Sequence, residues 1–151
     1  MALAEAIAGL VAVVEGVTPL TAATYRFTRH PPQSRGLLYA STRTRTFDVG
    51  IGAPRESDRT TDGTVDYLVA DMVVEVVYPL AAWRSRDELH AAMSGDAAAL
   101  TSAIRPPSAW STWAHELYVL GGDVGRDEVA GTDGEPVAYV ISIPLTVHTE
   151  V

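Results

Sequence analysis

The sequence predicts an α+β domain in which a mostly antiparallel sheet of four to five strands carries two helices on one face. Three stretches support this prediction. Residues 2–15 place apolar side chains at helical spacing, residues 64–79 are rich in β-branched and aromatic residues, and residues 137–151 alternate apolar and polar side chains. The predicted order is α-β-β-β-α-β-β. With 151 residues and no repeat or linker composition, the chain is expected to form a single domain, residues 1–151.

The first predicted helix has its apolar side chains at Leu3, Ile7, Leu10, Val11 and Val14. Gly16 ends the pattern, and a proline follows shortly, as is common after a helix end. The acidic side chains within this stretch and its lack of basic residues argue against a signal peptide, a membrane span or a membrane-surface helix. We therefore expect a soluble protein that does not contact a membrane.

Two strands are predicted before the centre of the chain, at residues 21–29 and 41–51. In the second, Arg43 and Arg45 share a face with Phe47, Val49 and Ile51. We expect the apolar half of that strand to enter the core and the arginine-bearing half to extend past the sheet edge, exposed to solvent. Residues 53–63 lack periodicity and predict an exposed, mobile loop or a long hairpin arm.

The central strand, residues 64–79, changes its apolar phase at Ala70 and Asp71. Such a slip predicts a β-bulge or bend, unless both faces of the strand are covered. Pro79 ends the strand because proline cannot donate a ladder hydrogen bond. In the last strand, Pro144 predicts an edge position or a bulge for the same reason.

The second predicted helix begins at Ser85-Arg86-Asp87-Glu88, which has the form of a capping box. Its apolar face comprises Leu89, Ala92, Met93, Leu100, Ala103 and Ile104. The pair Gly95-Asp96 in the middle predicts a kink or a split.

The charge distribution is uneven. The net charge is −8 and every basic residue is arginine. Residues 26–59 hold seven arginines and three acidic residues, a surplus of four positive charges, which leaves about −12 for the rest of the chain. This total argues against broad nucleic-acid binding. Separate basic and acidic regions on one molecule are typical of self-association or of docking to a neighbouring subunit.

The sequence contains no recognisable catalytic or metal-binding motif. The chain has no cysteine, and its four histidines lack metal-ligand spacing, so we expect no metal site and no cofactor. Phosphate-binding loops and nucleophile elbows are also missing. An enzyme interpretation would use an aromatic pocket with a general base between helix and sheet, formed by Trp83, His90, Trp110, Trp113 and His115. Asp71 is the one acid expected to face the core if such a site existed.

Three features together resemble the tail terminator or tail-completion proteins of long-tailed phages. These are the amphipathic N-terminal helix, the end of the second helix at Ala103-Ile104-Arg105-Pro106-Pro107 with Trp110 close behind, and the terminal strand Val140-Ile141-Ser142-Ile143-Pro144-Leu145-Thr146-Val147. The resemblance implies a non-enzymatic virion protein, made in the host cytoplasm, whose hexameric ring caps the tail tube and joins it to the neck. Its partners would be copies of itself, the tail-tube protein and a neck or head-completion protein, and DNA would pass through the lumen without specific binding.

Two alternatives remain open from the sequence. One is a neck or head-completion protein, and the other is a small α+β ligand-binding domain or enzyme. In the ring interpretation, the expected subunit interface comprises Arg26, Arg29, Arg43, Arg45, Arg55, Glu56, Asp58 and Arg59. If Arg43 and Arg45 are exposed, their replacement by glutamate leaves the stability nearly unchanged and weakens assembly.

Overall fold

The protein folds as a mostly antiparallel sheet with two helices on one face, which confirms the predicted α+β class. The computed structural model describes residues 2–20, 26–29, 44–53, 55–56, 60–61, 64–65, 67–104, 114–118 and 124–150. The helices are α1 (Ala2–Gly16) and α2 (Arg86–Ile104), and a short 3-10 helix, Leu80–Ala82, precedes α2. Within the described ranges, neither α-helix combines the length and apolar character needed to span a bilayer.

Nine strands lie in the described part of the chain. They are β1 (Thr28–Arg29), β2 (Thr46–Ile51), β3 (Arg55–Glu56), β4 (Thr60–Thr61), β5 (Thr64–Val65), β6 (Tyr67–Pro79), β7 (Ala114–Tyr118), β8 (Gly125–Ala130) and β9 (Pro136–Glu150). The main sheet has the order β1-β2-β6-β9-β7, in which β3 also pairs with β6 and β8 with β9. Only β1 and β2 pair in parallel among these strands. Strands β4 and β5 pair with each other. Within residues 53–63, where the sequence predicts a loop or a hairpin arm, the described residues include the short strands β3 and β4.

The long antiparallel pair β6 and β9 forms the frame of the molecule. Every second residue of each strand faces the helices, so that Val74 lies opposite Ile143 and Val76 opposite Ile141. These side chains are at most 1% exposed and pack in one cluster with the buried faces of α1 and α2. The core therefore sits between the sheet and the helical layer, as the apolar periodicities predict.

No bulge occurs in β6 where the apolar phase slips. The pairing of β6 with β9 is unbroken from Tyr67 to Pro79. Val69 and Ala70, which point to opposite faces, are both buried, and the hydroxyl of Thr146 donates a hydrogen bond of 3.0 Å to Asp71 Oδ1. The strand therefore follows the exception that the prediction allowed, since Val69 and Ala70 are covered on opposite faces and a strand covered on both faces need not alternate.

Pro144 lies within β9. The β6–β9 register continues past it without a bulge, with Val73 opposite, so the predicted bulge does not occur. On the other side of β9, the described pairing with β8 ends at Ser142 and the described pairing with β7 begins at Thr146. The predicted edge position concerns the interval between them, whose neighbours along the chain, residues 119–123, lie outside the described residues.

Helix α2 begins as predicted and continues where a split was predicted. The Glu88 amide donates a 3.2 Å hydrogen bond to Ser85 Oγ, which is the first bond of a capping box. The helix runs without a break through Gly95 and Asp96. Asp96 is only 1% exposed, so its side chain is directed into the core and not into solvent.

The packing of β6 and β9 against the helices predicts which β9 residue contributes more to stability. Replacing Ile143 by alanine removes a side chain that is 0% exposed between the two layers, and should lower the free energy of unfolding by about 2–5 kcal/mol. The measurement is equilibrium denaturation in urea. Replacing Ser142, half-buried on the other face, should cost less than about 1 kcal/mol. Equal costs at both positions would mean that the helix-facing side is not the main core.

Candidate functional site

A completely buried ion pair joins the start of β2 to the middle of α2. Arg45, which immediately precedes β2, is 0% exposed. Its Nε donates to Asp96 Oδ2 over 2.6 Å, and its Nη2 donates to Asp96 Oδ1 over 3.2 Å. Such a two-bond contact matches the flat guanidinium to the carboxylate and fixes their orientation. The contact links residues that are 51 positions apart in the chain.

Two aromatic rings flank the guanidinium of Arg45. Its Cζ atom lies 5.3 Å from the centroid of the Trp83 ring and 5.9 Å from that of the Phe27 ring. Both distances fall within the range of cation–π attraction, which is stronger at a desolvated site. The Trp83 indole N–H donates to Thr44 Oγ1 over 3.1 Å, which holds the ring in place. The charge is thus surrounded by groups that compensate for part of the lost hydration.

Tyr78 completes the network on the β6 side. Its hydroxyl donates to Asp96 Oδ2 over 2.7 Å, and its side chain is 0% exposed. Burial raises the pKa of Tyr78 well above 10.0, and the negative charge and hydrogen bond of Asp96 raise it further, while the positive charge of Arg45 acts in the opposite direction. Tyr78 therefore remains a neutral donor over the physiological range. Both carboxylate oxygens of Asp96 are then engaged inside the protein.

The backbone of Arg45 is unusual as well. Its φ of 62° lies in the left-handed region, which costs a residue other than glycine roughly 1–2 kcal/mol. Its N–H donates to the carbonyl of Val77 over 3.1 Å, and its carbonyl accepts from the N–H of Thr28 over 3.1 Å. The strained residue is held from three directions, by β1, by β6 and, through its side chain, by α2.

The prediction that Arg45 is exposed is wrong. The alternation correctly placed Arg45 on the face of Phe47 and Val49, but that face meets the helical layer, where Asp96 neutralises the charge. Replacement of Arg45 by glutamate would bring two carboxylates together in the core, so the expectation of unchanged stability is also wrong.

Asp71, the candidate core-facing acid of the enzyme interpretation, is exposed. The buried acids among the described residues are Asp48, 8% exposed and paired with Arg29, and Asp96, 1% exposed and paired with Arg45. The sequence contains a signal for the burial of Asp96 that was missed. Asp96 continues the helical spacing of the buried residues Leu89, Met93, Leu100 and Ile104, so it lies within the apolar stripe of α2.

Of the remaining residues of the predicted interface, Arg26 and Arg29 have described side chains, and both lie outside this network. Arg26 is exposed and its Nη2 contacts Thr18 Oγ1 over 3.5 Å. Arg29 pairs with Asp48 over 3.2 Å, with 46% of its own side chain exposed. Arg55 and Glu56 form β3. Arg43, Asp58 and Arg59 lie outside the described residues.

Of the predicted aromatic pocket, the structure describes the side chains of Trp83 and His90, which have different neighbours. Trp83 belongs to the arginine network, whereas His90 packs edge-on against Tyr139, with ring centroids 5.1 Å apart. His115 lies in β7, and Trp110 and Trp113 fall outside the described residues. A search of the described side chains finds no group of three or more residues suited to holding a metal ion.

Comparison with known proteins adds no assignment. No family model matches the sequence, and no curated protein is significantly similar to it.

The ion pair predicts a large and coupled loss of stability. Asp96→Asn leaves the buried guanidinium uncompensated and should lower the free energy of unfolding by about 3–5 kcal/mol. On the same helix, Asp87→Asn changes an exposed carboxylate and should cost no more than about 1 kcal/mol. Urea denaturation measures both variants. The double variant Arg45→Met/Asp96→Leu should lose less free energy of unfolding than the sum of the losses of Arg45→Met and of Asp96→Leu, each measured alone. Simple additivity of these two losses would contradict a direct pair.

The raised pKa of Tyr78 predicts that the folded protein loses stability at alkaline pH. Because its pKa is higher in the folded than in the unfolded chain, only the unfolded state releases this proton just above pH 10. The free energy of unfolding should then fall with rising pH, by at most about 1.4 kcal/mol per pH unit from this group. Denaturation between about pH 9 and about pH 11 should show a smaller decline for Tyr78→Phe than for the unaltered protein. Identical declines would mean that Tyr78 ionises as readily in the folded state.

Proposed function

We propose that the protein is a structural virion component, a tail-terminator subunit whose ring, most simply a hexamer, caps a phage tail tube and joins it to the neck. The structural part of this proposal rests on Asp96, whose carboxylate is hydrogen-bonded entirely within the core. The enzyme interpretation of the sequence would use an acid facing the core, and both oxygens of Asp96 are already bound by Arg45 and Tyr78. The sequence resemblance described above supports the specific class.

A catalytic carboxylate must reach the proton that it transfers. Asp96 is 1% exposed, and its partners, Arg45 and Tyr78, are fully buried beside it. Since the pair is held bidentately and enclosed by aromatic rings, its evident role is to join α2 to the sheet. A rigid subunit of this kind suits a component whose function is to present fixed surfaces to its neighbours.

The charge distribution also suits this role. The chain carries −8 overall, so a ring of such subunits would repel the phosphates of a passing DNA molecule and not hold them. The basic surplus between residues 26 and 59 would remain available for protein contacts, apart from Arg45, whose charge is neutralised in the core. The tail-tube protein and a neck or head-completion protein are the partners that this role requires.

One observation favours a second candidate, a small ligand-binding domain or enzyme. Among the described side chains, the buried Nδ1 of His90 has no hydrogen-bond partner. It lies beside Tyr139, whose hydroxyl contacts Glu128 Oε2 over 3.5 Å. A thermal-shift screen against a panel of small metabolites tests this candidate. It is supported only if a compound raises the melting temperature of the protein and not that of His90→Ala.

Tube capping is the direct test of the proposed function. The purified chain is mixed with tubes assembled from the tail-tube protein of the same genome, and the mixture is imaged by negative-stain electron microscopy while native mass spectrometry records the oligomer. We expect a discrete oligomer, six copies in the simplest case, and a ring at one end of each tube that stops further growth. Tubes without the chain serve as the control. A protein that stays monomeric and leaves tube ends bare contradicts the proposal.

A further inference from the structure

The two edges of the main sheet carry opposite charges. The strand order puts β1 at one edge, and β8 lies at the other, on the far side of β9. Arg26 and Arg29 lie at the β1 edge, and both are exposed. At the β8 edge, the exposed charged side chains are Asp127 and Glu128 in the strand and Asp133 and Glu135 in the turn that follows. We call these two surfaces the basic edge and the acidic edge.

The acidic edge is also open along its backbone. Within the described residues, β8 pairs with β9 alone, and all of its residues except Val129 are exposed. A strand with one unpaired side offers a row of N–H and C=O groups to another chain. The one arginine of β8, Arg126, donates to Ser94 of α2 over 3.3 Å, so its charge is directed toward the helix. Nothing in β8 therefore offsets the carboxylates at the edge itself.

A single subunit does not bring its own two edges together. Four gaps between neighbouring strands separate β1 from β8, which corresponds to about 19 Å at the usual strand spacing. Pairing of the basic with the acidic edge thus requires two copies. It also leaves one edge of each copy unused, so that the contact can repeat.

The charge balance identifies the occupant of each edge as a second copy of this chain. Residues 123–135 contain five acids and one arginine, a surplus of four negative charges. At the basic edge, Arg26 is exposed, and Arg29 pairs with Asp48 while 46% of its own side chain stays exposed. One chain therefore supplies two surfaces of opposite sign, as a head-to-tail contact needs.

We infer that copies of the protein join head to tail, with the acidic edge at β8 of one copy against the basic edge at β1 of the next. This inference rests on the proposed ring and identifies the surfaces that close it. Repetition of one head-to-tail contact produces a ring when the rotation per copy closes, and an open filament when it does not. Because exposed charges set the register, assembly weakens as the salt concentration rises.

Charge reversal tests the contact. Arg26→Glu and Asp127→Arg should each weaken self-association at least about tenfold, measured by sedimentation or native mass spectrometry at low salt. An equimolar mixture of the two variants should recover assembly, since every contact in an alternating ring again joins opposite charges. The matched controls are Arg84→Glu and Glu5→Arg, which make the same charge changes at exposed positions that belong to neither edge, Glu5 lying at the end of α1 remote from Thr18 and Arg26. These controls should assemble as the unaltered protein does.

Cross-linking tests the geometry independently of affinity. The chain has no cysteine, so Arg26→Cys/Asp127→Cys introduces the only two thiols. Under oxidation they should join different copies, because a disulfide requires Cα atoms within about 7 Å and the two edges of one copy are too far apart. Denaturing gels should show ladders of linked chains. Arg26→Cys/Ala98→Cys, with the second thiol on the exposed side of α2, should give few.

The outcomes separate the two proposals. If the unaltered protein forms rings on tube ends, while the charge reversals assemble normally and the edge cysteines link no better than the control pair, the edge contact is wrong and the proposed function stands. If the unaltered protein neither self-associates nor caps tubes, both are wrong. Recovery in the mixed variants together with linked ladders supports the edge contact.

Discussion

The buried pairing of Arg45 with Asp96 is the interaction on which the rest of the structure depends. Transfer of two charges from water to a protein interior costs several kcal/mol for each ion, so the pair is tolerated only with good geometry and further hydrogen bonds. Both conditions are met here, by the bidentate contact and by the Tyr78 hydroxyl. The pair then joins the helical layer to the point where β1, β2 and β6 meet.

The strand pair β6 and β9 provides the rigid support for this junction. Its register is continuous over thirteen residue pairs, and apolar side chains from both strands fill the space under the helices. A smaller cluster, Val77, Ala138 and Val140, lies on the opposite face, so the frame buries residues on both sides. Among the described charged side chains, those of Arg45 and Asp96 are the most deeply buried, at 0% and 1% exposure.

Most of the architecture could be predicted from local patterns. Both helices, the capping Ser85, the two long strands and the single helical layer follow from spacing that a window of a few residues contains. The burial of Arg45 could not be predicted in this way, because its partner lies 51 residues away. The alternation of side chains along a strand shows which residues share a face, but not which element packs on that face. Asp96 was predictable in principle from its position in the apolar stripe. The phase slip at Ala70 marks no bulge, because coverage of both faces removes the need for alternation.

The left-handed backbone of Arg45 has a consequence for how this sequence can diverge. Glycine would relieve the φ of 62°, but it would remove the guanidinium and leave Asp96 alone in the core. An apolar residue at position 96 would in turn leave the buried charge of Arg45 without a counter-ion. Neither position can therefore drift independently, and descendants of this chain should change both together or neither. We therefore expect positions 45 and 96 to vary jointly among distant relatives, even where the surrounding sequence no longer aligns.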